Sequence, residues 1–244
     1  MKLFCVIISA ILFCDHLNAQ LTSAVKYIWQ NDSTKINASI EIYDTDNKKS
    51  RGSIYFITNV DTTFNSHPDN FFKQFIASST LQYTFIKISF YPSFDSSKMS
   101  VFSKELMDFI LPDVSKKYKL FSKGDAVISG INDYALVALH AAIHYSDKIN
   151  KTAVFFNDYV PNVFLCNQLE TSSRLIKGKL FMYVNGEEEN SFITNTLAEK
   201  LAIYSPIVLY KYDDVNALAS KYIFTEAYNW LMADGNNYVL KTED

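Results

Sequence analysis

Apolar positions change period several times along this chain, and each change marks an element. Between residues 24 and 58 they alternate, or cluster as β-branched and aromatic residues, which predicts strands over 24–29, 36–43 and 53–58. Turn-forming Asn31-Asp32-Ser33 and the polar stretch 44–50 separate them. A short helix is expected at 71–77 and a strand at 84–91 (TFIKISFY). Residues 101–118 carry the 3.6 period, with Phe102, Leu106, Phe109, Ile110 and Val114 on one face. Pro112 sits inside that stretch and is expected to kink or interrupt it. From there short apolar strands (125–129, 152–157, 179–184, 206–212) take turns with helices (133–145, 190–204, 217–233).

That order predicts an α/β fold. An antiparallel N-terminal β section leads into a mostly parallel central sheet buried on both faces. Right-handed crossovers place helices on each side, and a site is expected at the C-terminal ends of the strands. No internal repeat and no Pro/Gly/Ser-rich linker divides the chain, so one domain is expected over 20–244.

The first twenty residues, MKLFCVIISAILFCDHLNAQ, stand outside this pattern. Lys2 precedes an apolar run over 3–14, and a polar stretch ends at Ala19. A run of about 12 residues is too short to span the ~30 Å hydrocarbon core, so 1–19 reads as a secretory signal cleaved after Ala19. The mature chain is expected to be secreted or periplasmic, with no transmembrane segment. Bulky Phe13 before Cys14 argues against a lipoprotein signal. Cys5 and Cys14 leave with the leader, so Cys166 has no intramolecular disulfide partner. It is either a buried small hydrophobe or a free thiol. Asn31, Asn37 and Asn150 head N-x-S/T sequons, which matter only in a glycosylating host.

Composition narrows the function. A net charge of −3 counts against a nucleic-acid partner. Only 6 glycines occur in 244 residues, against the ~7% typical of proteins, so phosphate-cradling loops are scarce.

One glycine stands at a telling place. Residues 126–136 read as a strand, Gly130, then an apolar helix, which is the layout of a nucleophile elbow, G-x-S-x-G. The five positions here are Gly130, Ile131, Asn132, Asp133 and Tyr134. The nucleophile position therefore holds Asn132, and the closing-glycine position holds Tyr134. A tyrosine there is expected to fill the close strand–helix approach or to relax the turn.

Around this elbow the chain resembles the secreted esterase family of α/β-hydrolases, which includes enterobactin-esterase-like and carbohydrate-esterase-like enzymes. The resemblance runs over about residues 54–232. It is carried by the helix 102–118, the elbow helix and next strand (ALHAAIHYSDKINKTAVFFND, 138–158), the strand end Tyr183-Val184-Asn185-Gly186 with Glu187-Glu188-Glu189 after it, and the closing FTEAYNWL, 224–231. It implies an α/β-hydrolase-like three-layer sandwich. It also implies a serine activated by a histidine that a carboxylate orients. Carried over residue by residue, Glu189 matches the acid, with Glu187 and Glu188 as alternatives. The histidine position falls at Val215 or Asn216, in a loop without histidine. The triad is therefore expected to be degenerate.

Rescues are weak. Asp133 lies one residue past the elbow tip, where a carboxylate would repel a developing oxyanion. Ser129 belongs to the strand. His140 and His144, four apart on one helix face, can bind metal only with a third ligand and an open site. No acidic partner stands at an obvious spacing, so they read as a polar stripe; no metal and no cofactor is expected. His67 lies in a loop.

Three functions remain. The first is a non-catalytic binder, whose site clusters Asn132, Asp133, Tyr134, Asn157, Asp158 and Tyr159 and suits a small polar ligand, a carbohydrate or a protein partner. The second is a carboxylic-ester hydrolase acting through a displaced constellation on an acetyl, siderophore or carbohydrate ester. The third is an assembly protein, whose 19 Phe and 16 Tyr would gather on an exposed face.

Overall fold

The structure is a computed structural model that describes residues 25–43, 52–59, 75–76, 83–91, 96–118, 120, 126–157, 178–185, 208–213 and 221–233. Among the described residues eight strands form one sheet: β1 (Val25–Asn31), β2 (Ile36–Tyr43), β3 (Ser53–Asn59), β4 (Thr84–Tyr91), β5 (Ala126–Ile131), β6 (Lys151–Asn157), β7 (Lys179–Asn185) and β8 (Val208–Asp213). Their spatial order is β1-β2-β4-β3-β5-β6-β7-β8. β1 pairs β2 antiparallel, and β2 pairs β4 antiparallel. Every other neighbouring pair is parallel. The expected antiparallel entry into a parallel sheet is what forms.

Alternation along the inner strands sorts side chains between two cores. Tyr55, Ile57, Ile128, Val154, Phe156, Leu180 and Met182 face one way. They pack under α1 (Met99–Lys104), α2 (Leu111–Tyr118) and α3 (Asp133–His144). Ile54, Phe56, Val127, Ala153, Phe155, Phe181 and Tyr183 face the other way, under α4 (Lys221–Met232). Helices on both faces complete an α/β three-layer sandwich. Phe75 and Ile76, the described part of the expected 71–77 helix, are helical and buried beside α4. The helix expected at 190–204 lies outside the described residues.

Two local details depart from expectation. Pro112 does not interrupt its helix. A π-helical turn, Glu105–Ile110, joins α1 to α2 instead, with the Leu111 N–H donating to the Leu106 carbonyl five residues back. Proline has no N–H to give and its ring crowds the carbonyl four residues earlier, so a widened turn just before it keeps the helix path without the clash. The elbow strand also runs past Ser129, through Gly130 to Ile131, because Gly130 and Ile131 still pair with Val154 and Phe155 of β6.

Candidate functional site

The turn from β5 into α3 sits at the C-terminal edge of the parallel strands. Asn132 occupies its tip with φ 52° and ψ −123°. Asparagine tolerates positive φ in the left-handed helical region, but this ψ lies outside that region, and such a conformation costs on the order of 1–3 kcal/mol. Two hydrogen bonds hold it. The Asn132 N–H donates to the Phe155 carbonyl at 2.8 Å, and Ala135 N–H donates to the Asn132 carbonyl at 2.9 Å. This is a strained strand–turn–helix of the elbow kind.

Gly130 makes the close approach possible. A Cβ there would lie 2.2 Å from the Tyr134 backbone carbonyl oxygen. The clearance the turn needs comes from Gly130 facing the backbone of residue 134, not from a small side chain at 134. This corrects the expectation for Tyr134, which neither fills that gap nor relaxes the turn. Its side chain packs in the core, stacked on Phe90 (5.7 Å, 8°) and T-shaped with Phe102 (6.2 Å). At 2% exposure Tyr134 is core, so it drops out of the expected ligand-contacting set.

Asn132 and Asp133 are half-buried at the elbow. Asn157 closes β6, the next strand, at the same edge. The register then adds residues the sequence pattern did not single out: Asn157 is level with Asn185 of β7, and Asn185 with Asp213 of β8. A row of amide and carboxylate residues therefore ends successive strands on the elbow's side. The signal was there in the sequence, since each follows a short apolar strand, but it needed the register to become a row. Asp158, Tyr159, Glu187, Glu188, Glu189, Val215, Asn216, His67 and Cys166 lie outside the described residues.

Ser129 is fully buried on the α4 side, where its Oγ accepts a hydrogen bond from the Tyr228 hydroxyl at 2.9 Å. Burial raises the Tyr228 phenol well above its ordinary range, and the bond to Ser129 opposes that shift only in part. Ser129 is thus a fastening between sheet and helix, placed away from the elbow tip.

His140 and His144 lie toward the other end of α3, their rings 4.1 Å apart. They line an open groove of about 770 Å³ walled by the β1–β2 turn, α1 with its π-helical continuation, and the end of α3. Burial, then the nearby His144, pushes the His140 imidazole down to about 4. Across the groove Glu105 is buried, both carboxylate oxygens accepting from Asn31 Nδ2 at 3.0 Å. Among the described residues no three His, Cys, Asp or Glu side chains cluster closely enough to form a ready-made metal centre. Among them, too, no helix is long and apolar enough to cross a membrane.

A mostly parallel sheet with an antiparallel entry, helices on both faces and a strained elbow at a strand's C-terminal end define an α/β-hydrolase-like fold. Solved structures share it. Enterochelin esterase from Shigella flexneri superposes with a TM-score of 0.67 at 15% identity, over 86% of this chain and 58% of that one. Ferric enterobactin esterase from Salmonella typhimurium gives 0.63 at 16% identity, over 86% and 58%. An esterase of Pyrococcus furiosus gives 0.61 at 13% identity, over 90% and 96%. This chain therefore spans less than two thirds of the length of the enterobactin-type esterases, and at such identities the likeness is one of fold. No protein-family model and no curated protein matches the sequence at a significant level.

Proposed function

We propose that this chain is an exported, non-catalytic α/β-hydrolase-fold protein that binds a small polar ligand at the former ester site. The observation that carries this is Asn132 on an intact, strained elbow. An amide has no ionisable proton to lose and cannot serve as the acyl-transfer nucleophile. The elbow still presents it at the strand edge, where an amide offers both donor N–H groups and an acceptor oxygen. Asp133 and the row Asn157, Asn185 and Asp213 extend the same polar edge, and the sequence places Asp158 and Tyr159 just beyond Asn157. Amides and carboxylates beside an aromatic suit the hydroxyls of a sugar or a polar peptide. The buried state of Phe75, Phe85, Phe90, Phe155 and Phe156 favours this over an assembly role built on exposed aromatics.

A second reading is favoured by the three solved structures named above, which are esterases: hydrolysis of an acetyl, siderophore or carbohydrate ester through a displaced constellation. The two separate in one assay. The full chain is incubated with short-chain aryl esters and acetylated sugars, alongside a serine-hydrolase probe. The expected result is no turnover and no labelling. Turnover abolished by Asp133→Ala would establish the second reading. Asn132→Ser paired with Val215→His is the control that asks whether the scaffold still supports acyl transfer once the missing groups are restored.

A further inference from the structure

The groove at the far end of α3 has a chemistry of its own. Three elements bring its polar groups together. α3 supplies His140 and His144 on adjacent turns of one face, with ring centroids 4.1 Å apart. The π-helical turn supplies Glu105, a residue that is 2% exposed yet lines the same groove. The β1–β2 turn supplies Asn31, held in place because its Oδ1 accepts from the Ser33 N–H at 3.0 Å and from the Ser33 hydroxyl at 2.6 Å.

We propose that this groove binds a divalent transition-metal ion of the zinc or copper type, chelated by His140 and His144, with water supplying the third ligand and the remaining positions and Glu105 supplying compensating charge. Imidazole nitrogen is a preferred ligand of these ions, and two histidines four apart on a helix can reach one ion together. Nδ1 of His140 is buried without a hydrogen-bond partner, which leaves Nε2 as the ring nitrogen to bind the ion. A buried carboxylate whose partner is a neutral amide favours a cation nearby. The groove is open, so water can complete the coordination shell.

The same features limit the affinity. Nδ1 of His140 lacks the acceptor that usually fixes a ligating imidazole, and two protein ligands hold less tightly than three or four. Exposed Lys104 lines the groove and opposes a cation. This inference is independent of what happens at the elbow.

The test uses the full chain without a polyhistidine tag. Calorimetric titration with Zn2+ and with Cu2+ should show one saturable equivalent. Electron paramagnetic resonance of the Cu2+ form should show coupling to two nitrogens. His144→Gln and His140→Gln should each weaken binding about tenfold or more. Glu105→Gln should weaken it several-fold, and Lys104→Gln should strengthen it. Far-UV circular dichroism checks that each variant folds, and the wild-type copper spectrum stands even if a variant does not. No saturable binding up to about 100 µM, no nitrogen coupling, or undiminished binding in folded His144→Gln would each overturn the proposal.

Discussion

Asn132 and Gly130 divide the elbow's demands between them. Asn132 carries the strained dihedrals and Gly130 the missing Cβ. Asn132→Gly should therefore stabilise the protein by about 1 kcal/mol, since glycine adopts this φ and ψ without strain. Gly130→Ala should destabilise by about 2 kcal/mol or more, because the atom it meets is backbone that cannot swing aside. Urea denaturation of both variants reads the difference, and equal effects would mean the turn is soft. His140 gives a pH dependence. Its folded-state value of about 4 lies below the ordinary 6.5, so between those limits the unfolded chain binds more protons than the native one. Its contribution to stability is therefore fully present above pH 6.5 and lost as pH falls toward 4. The groups beside it in the groove are His144, Glu105, Lys104 and Tyr145. In metal-free protein, His140→Gln should flatten that part of the stability–pH curve while leaving the carboxylate region below it.

The elements are fastened by a few polar contacts set into apolar packing. The Tyr228–Ser129 hydrogen bond pins α4 to the elbow strand amid aromatic contacts such as Phe155–Phe224 at 4.4 Å. Ser129→Ala leaves a buried phenol hydroxyl unsatisfied and should cost about 1–3 kcal/mol. Tyr228→Phe should cost about 1 kcal/mol, and the double variant less than the two single costs together. Additive losses in thermal unfolding would mean that the two groups do not depend on each other. On the opposite face the π-helical turn before Pro112 brings Glu105 to the groove wall. Pro112, expected from sequence to kink or interrupt the helix, is accommodated by that π-helical turn.

For the whole molecule, the same sheet edge serves the elbow and the row of strand ends, while the groove lies at the other end of α3. Ligand binding at the elbow and metal binding at the groove should therefore be separable by mutation. Export belongs to this scale as well. If the leader is removed as its pattern suggests, the protein recovered outside the cytoplasm should begin at Gln20, which intact-mass measurement decides. A mass that includes residues 1–19 would replace secretion with anchoring or retention.

Period and composition alone determined the layers. The two-residue alternation of β2, the continuous apolar runs of β5, β6 and β7, and the 3.6 period of 101–118 are local consequences of side-chain direction, so they are legible without any contact. The elbow was legible too, as strand, Gly130 and helix in succession. Tertiary structure alone decided which backbone Gly130 must clear, where the Tyr134 ring goes and how the helix accommodates Pro112. It also decided that Asn157, Asn185 and Asp213 share a level, and that Glu105 and Asn31, 74 positions apart, meet at the groove His140 and His144 line. Each depends on strand register or on the packing of distant segments, and neither is encoded in the spacing of residues along one element.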